Sequence, residues 1–81
     1  MIMRFKVYLQ EGKKNKKGVM NWKNVVGYVN PSFNRFVDSK FYCDHNQDLL
    51  EDNDRFLVTL INDYGESVCY TKYAKGVEHD H

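Results

Sequence analysis

Residues Arg4 to Gln10 alternate without a break. Phe5, Val7 and Leu9 share one parity; Arg4, Lys6, Tyr8 and Gln10 share the other. Successive strand side chains point to opposite faces, so a period of two predicts a half-buried strand. Arg55 to Ile61 puts Phe56, Val58 and Leu60 on one parity and Leu57, Thr59 and Ile61 on the other. Both faces of that stretch are apolar or nearly so, which predicts a strand in the interior of a sheet. The 81 residues leave room for one domain, and these two strands commit it to a sheet. Six Tyr and five Phe support that reading, because aromatic rings suit a pleated, half-buried surface.

The remaining elements follow from the punctuation. Asn62-Asp63-Tyr64-Gly65-Glu66 reads as a hairpin loop with Gly65 in the left-handed position, and Ser67 to Tyr73 as the returning strand. Val19 to Val29 reads as a strand in which Gly27 marks a bulge or a close backbone approach. It pairs with the first strand around Glu11 to Gly18. That segment has no apolar residue and reads as an exposed loop, kept mobile by repulsion among its four lysines until a ligand binds. Asn30-Pro31 ends the second strand, and a short helix over Pro31 to Val37 follows, with Asn30 as N-cap. Lys40 to Cys43 reads as a short strand. Asp44 to Asp54 is either one helical turn capped by Asp44 or an acidic loop pinned by Leu49 and Leu50. The expected fold is mainly β, bordering on α+β: about five short antiparallel strands in a curled sheet or small open barrel, with one short helix. Residues 1–75 form the domain and 76–81 a frayed tail.

Charge is sorted along this chain. In residues 1–23, seven cations face Glu11 alone, a net +6. In residues 38–66, eight carboxylates face Lys40 and Arg55, a net −6. The total of +1 conceals both fields. Such fields orient and attract partners.

Catalytic and metal motifs do not complete. Asp44, Asn46 and Asp48 match the first ligands of an EF-hand loop, but Leu49 stands where the turn needs Gly and Arg55 where it needs a bidentate Glu. Cys43, His45, His79 and His81 offer zinc ligands at a spacing that is not a zinc-finger spacing. Cys43-Asp44-His45 holds the residue types of a thiol dyad, but their side chains diverge on a strand. No metal, cofactor or enzymatic activity is expected. Cys43 and Cys69 are too few for a disulfide scaffold and read as buried, reduced thiols. The N-terminus lacks the apolar core of a signal peptide, and no run approaches the ~20 apolar residues of a membrane span. A cytoplasmic location without membrane contact is expected.

What remains is a noncatalytic small binding protein. For a protein partner, which includes a second copy of the chain, the candidates are the carboxylates Asp44, Asp48, Glu51, Asp52 and Asp54 with Leu49, Leu50 and Tyr64 as anchors. Ala74 is the one alanine, while Asn and Lys abound, as AT-rich coding produces. A chain of this kind is of the type that large phages encode to inhibit or modulate a host protein or defence system. The alternative is a single-stranded DNA or RNA binder. Arg4, Lys6, Lys13, Lys14, Lys16, Lys17 and Lys23 then follow phosphates, and Tyr8 and Trp22 stack on bases. An antitoxin-like protein would combine the two.

Overall fold

The structure, a computed structural model, describes residues 2–76. The elements are β1 (Arg4–Lys14), β2 (Met20–Asn24), β3 (Ser32–Phe33), α1 (Phe36–His45), a 3-10 turn (Gln47–Leu49), β4 (Asp54–Asn62) and β5 (Gly65–Tyr73). All strands pair antiparallel in one open sheet of order β2-β1-β4-β5, with β3 also pairing with β1. β4 lies between β1 and β5, where its two apolar faces place it. The sheet is open and does not close, and with one α-helix among the described residues it gives the expected mainly β fold.

Register decides which residues share a face, because directly paired residues project to the same side. Phe5 pairs with Leu60, Val7 with Val58 and Leu9 with Phe56, and Val58 pairs with Tyr70. α1 packs on this side. The Phe36 ring meets the rings of Phe5 at 5.8 Å and Tyr70 at 6.0 Å, and Tyr42 meets Phe56 at 5.9 Å. Val7, Phe56, Val58, Cys43 and Ser39 are fully buried between the layers. Ser39 satisfies its hydroxyl on the Phe36 carbonyl at 2.6 Å. Burying Phe56 and the two valines gives about 1.5–3 kcal/mol each. Among the described residues no element covers the other side of the sheet, which carries Lys6, Tyr8 and Gln10 of β1.

Several expectations are corrected. The helix spans Phe36–His45 and takes in Lys40 to Cys43, read above as a strand. Phe41, Tyr42 and Cys43 carry strand propensity, but packing of Phe36, Ser39 and Cys43 on the sheet overrides it. Pro31 does not open a helix: its carbonyl accepts the Val7 amide at 2.9 Å, and Ser32 and Phe33 pair with Lys6 and Phe5. β2 ends at Asn24, and Gly27, at φ +89°, sits in a turn beyond it. In the acidic segment, the helical turn starts after Asn46 instead of being capped by Asp44. Leu50 is buried and pins that segment to the core, while Leu49 is exposed. Cys69 is exposed, not buried. It is the extra residue of a β-bulge: Val58 pairs with Tyr70 and Thr59 with Val68, which leaves Cys69 out of the ladder.

The segment read as a lysine loop is corrected as well. β1 continues through Lys13 and Lys14, which pair with Asn21 and Met20. The tip is a built turn. Asn15 Oδ1 accepts the amides of Lys17 and Val19 at 2.9 and 3.0 Å, and Gly18 supplies φ +79°. β4 pairs with β1 only as far as Glu11, so beyond Gly12 the β1–β2 hairpin projects as a two-stranded arm. Of the tail expected to fray, residues 77–81 lie outside the described residues; His79 and His81 are among them. No helix among the described residues is long and apolar enough to cross a membrane.

Candidate nucleic-acid interface

The uncovered side of the sheet is built mainly by β1, β2, β4 and β5, with Ser32 of β3 beside Lys6. β1 contributes Arg4, Lys6, Tyr8, Gln10, Gly12 and Lys14. Their partners on β2 are Asn24, Trp22 and Met20, and on β4 Ile61, Thr59, Leu57 and Arg55. β5 adds Glu66, Val68, Thr71 and Tyr73. Four cations against Glu66 leave this face at +3.

Its organising contact is Arg55 on Trp22. The guanidinium carbon lies 4.0 Å from the indole centroid, and the Tyr73 ring lies 6.0 Å from the same indole. Arg55 also donates Nε–H to Gln10 Oε1 at 2.8 Å and approaches the Tyr73 hydroxyl at 3.4 Å. A guanidinium over an indole is a favourable cation–π pair. Gly12 makes room for it: a Cβ there would meet Met20 and come within 2.9 Å of the Trp22 ring. At the other end of the face Lys6 Nζ lies 5.2 Å from the Tyr8 ring centre, and the Tyr8 hydroxyl donates to Glu66 at 2.6 Å. Thr59 donates to the same carboxylate oxygen at 2.7 Å. These bonds, that of Tyr8 first, hold the Glu66 carboxyl below the ordinary carboxylate range.

The sequence-selected cations divide. Arg4, Lys6 and Lys14 lie on the open face with Tyr8 and Trp22. Lys16 and Lys17 occupy the tip of the arm. Lys13 and Lys23 share the opposite parity, Lys23 paired with Glu11. Arg55 and Tyr73 were not selected from sequence, although they complete the Trp22 cluster. Parity puts them on the correct faces of their strands, but only register brings β2, β1, β4 and β5 together at this point.

The acidic set is dispersed. Asp44 Oδ2 pairs with Lys40 at 2.9 Å, and Oδ1 accepts Tyr70 at 2.8 Å and meets Lys72 at 3.3 Å. Led by the Lys40 bond, these contacts bring its carboxyl down to about 2. Asp48 pairs with Lys75 at 2.8 Å, and Asp54 accepts the Glu51 amide at 3.0 Å. Glu51, Asp52 and Asp54 line a cleft with Glu11 and Lys13 at the root of the arm. Asp54 pairs with Glu11, on the parity opposite the open face. Tyr64, though exposed, tips the β4–β5 hairpin at the far end of β4 from Asp54.

Cys43 and His45 are placed apart, one buried and one exposed, and the other two zinc candidates, His79 and His81, lie outside the described residues. Cys43 is fully buried, and burial pushes its thiol up to about 12, so it carries no thiolate at neutral pH. His45 instead stacks on Phe41 at 3.9 Å on the outer side of α1. Among the described residues no three His, Cys, Asp or Glu side chains converge to hold a metal ion.

The outer side of α1 has its own shallow groove of about 390 Å³. Asp38, Phe41, Tyr42 and His45 line it from the helix, and Phe33 closes it from β3. No protein-family model matches the sequence, no curated protein is significantly similar to it, and no solved structure matches its fold.

Proposed function

We propose that this chain is a noncatalytic binding module and that its partner is a single-stranded nucleic acid laid across the open face. One observation carries the reading: Trp22, Tyr8 and Tyr73 share an uncovered sheet face with Arg4, Lys6, Lys14 and Arg55, beside a lysine-tipped arm. Cations of this kind neutralise phosphates, and rings accept unstacked bases. The guanidinium of Arg55, whose carbon lies 4.0 Å from the indole centroid, offers a second plane on which a base can stack. A duplex hides its base faces, so the ring platform favours a single strand. The acidic cleft does not oppose this, because Glu11 and Asp54 lie on the other parity.

Trp22 is the one tryptophan and reports on the site directly. Titration with a single-stranded oligonucleotide at low salt should quench its fluorescence. Replacing Lys13, Lys14, Lys16 and Lys17 by Ser should weaken binding and reduce the slope of log affinity against log salt by about 0.7 for each lost contact. Unchanged affinity and slope in the quadruple variant would remove the arm from the interface.

A protein partner is the second reading, in the manner of a phage-encoded inhibitor, and the groove on α1 favours it. Three aromatic rings beside the Asp38 carboxylate suit a cationic side chain of a basic segment. An arginine-rich peptide should shift the amide resonances of Asp38, Phe41 and His45, and a citrulline peptide of equal length should not. Equal shifts from both would set this reading aside.

A further inference from the structure

The open face contains a depression of about 330 Å³ lined by residues of β2, β1, β4 and β5. Leu57 and Val68 give it an apolar floor, and its polar groups stand on two opposed sides. On the β5 side is Glu66. The hydrogen bonds from Tyr8 and Thr59 both end on Oε2. They fix the carboxylate, and Oε1 receives none of the hydrogen bonds found among the described residues. Glu66 is thus an oriented acceptor.

On the β2 side is a directional chain of amides. Arg55 has no acceptor, so the Gln10 atom facing its Nε is the carbonyl oxygen. Gln10 Nε2 must then donate, and it does so to Asn24 Oδ1 at 2.9 Å. Asn24 is left presenting its NH2 group. The depression therefore offers an acceptor on one side, a donor on the other and an apolar floor between them.

We propose that this depression is a base-reading subsite and that it selects guanine; the inference rests on the reading of the open face as a nucleic-acid surface. Guanine has two adjacent donors, N1–H and N2–H2, that can converge on the open Oε1 of Glu66. Adenine and cytosine place a ring-nitrogen lone pair beside their exocyclic amine. Uracil and thymine flank N3–H with two carbonyls. Each of these sets a lone pair against Glu66, an unfavourable contact once the bound base excludes water from it. The surrounding cations hold the strand, and the carboxylate among them distinguishes its bases.

The test is fluorescence anisotropy with four labelled uridine octamers that differ in one central base: G, A, C or U. The wild-type protein should bind the central-G strand at least about tenfold tighter than the others. Glu66→Gln replaces an acceptor-only group by one that also donates, and should bring the four affinities within about twofold of each other. Circular dichroism of Glu66→Gln establishes that the variant is folded. Equal wild-type affinity for all four strands would overturn guanine selection and leave the face as a nonspecific binder. Guanine preference that survives intact in folded Glu66→Gln would overturn the role of this carboxylate. Failure of every strand to bind would overturn the reading of the face itself.

Discussion

Asp44 joins helix to sheet, holding Lys40 on its own helix and Tyr70 and Lys72 on β5. Its carboxyl is brought from 3.8 to about 2 by these partners, Lys40 first. A depressed carboxyl stabilises the fold above the unfolded value and loses that contribution as pH falls through the folded value. Stability should therefore decline between about pH 4 and pH 2, by a modest amount because the side chain is about a third exposed to screening solvent. The urea midpoint of Asp44→Asn should fall less steeply over that window than the wild-type midpoint; parallel curves would contradict the assignment. Gly12 has a different role, since its missing side chain is what lets Trp22 reach Arg55. Gly12→Ala should displace the indole, shift its emission to the red and weaken oligonucleotide binding. An unchanged emission maximum would show that the ring has room to spare. At this scale the sequence separates cation from anion and apolar from polar, but it cannot tell Leu49 from Leu50. The two are neighbours of one type, and their opposite fates follow from the direction of one short turn.

Strand elements were more legible than the helix, for a physical reason. Alternation over Arg4 to Gln10 and Arg55 to Ile61 survives in the structure because each strand must send one parity into the core. α1 has no comparable stripe. Phe36, Val37, Phe41, Tyr42 and Cys43 are spread around it, and Val37 and Phe41 stay exposed. Its position depends on Phe36 fitting between Phe5 and Tyr70, rings brought together by strand pairing. The segment that holds Lys13 and Lys14 has no apolar residue and so has the composition of a loop, yet β2 pairs with both lysines through the backbone. The basic half of the candidate site was visible as a run of lysines. Its Arg55 and Tyr73 half was not, since those residues are separated in sequence and meet through register alone. Trp22 joins the two halves, so Trp22→Ala should weaken oligonucleotide binding by about 1–3 kcal/mol, the usual loss of one stacking ring, while leaving the α1 side intact. Equal affinity for Trp22→Ala would take the ring out of the interface.

At the scale of the whole molecule, the described residues form two layers, with α1 over one sheet face and none of them covering the other. A domain of 81 residues has a total stability of about 4–12 kcal/mol. Phe56 is fully buried at the centre of the single core and touches Tyr28 and Tyr42. Phe56→Ala should cost about 3–5 kcal/mol and remove most of the cooperative transition in urea. A midpoint close to that of the wild type would mean that the core can collapse around the cavity. The uncovered face is the feature from which the functional account grows, and its partner can be located residue by residue. The most direct measurement is an amide chemical-shift map recorded while a single-stranded oligonucleotide is added. The account predicts shifts concentrated at Lys6, Tyr8, Trp22, Arg55 and Tyr73 and at the tip of the arm, with α1 unmoved. Shifts confined to α1 and its groove, or none at any concentration, would contradict it.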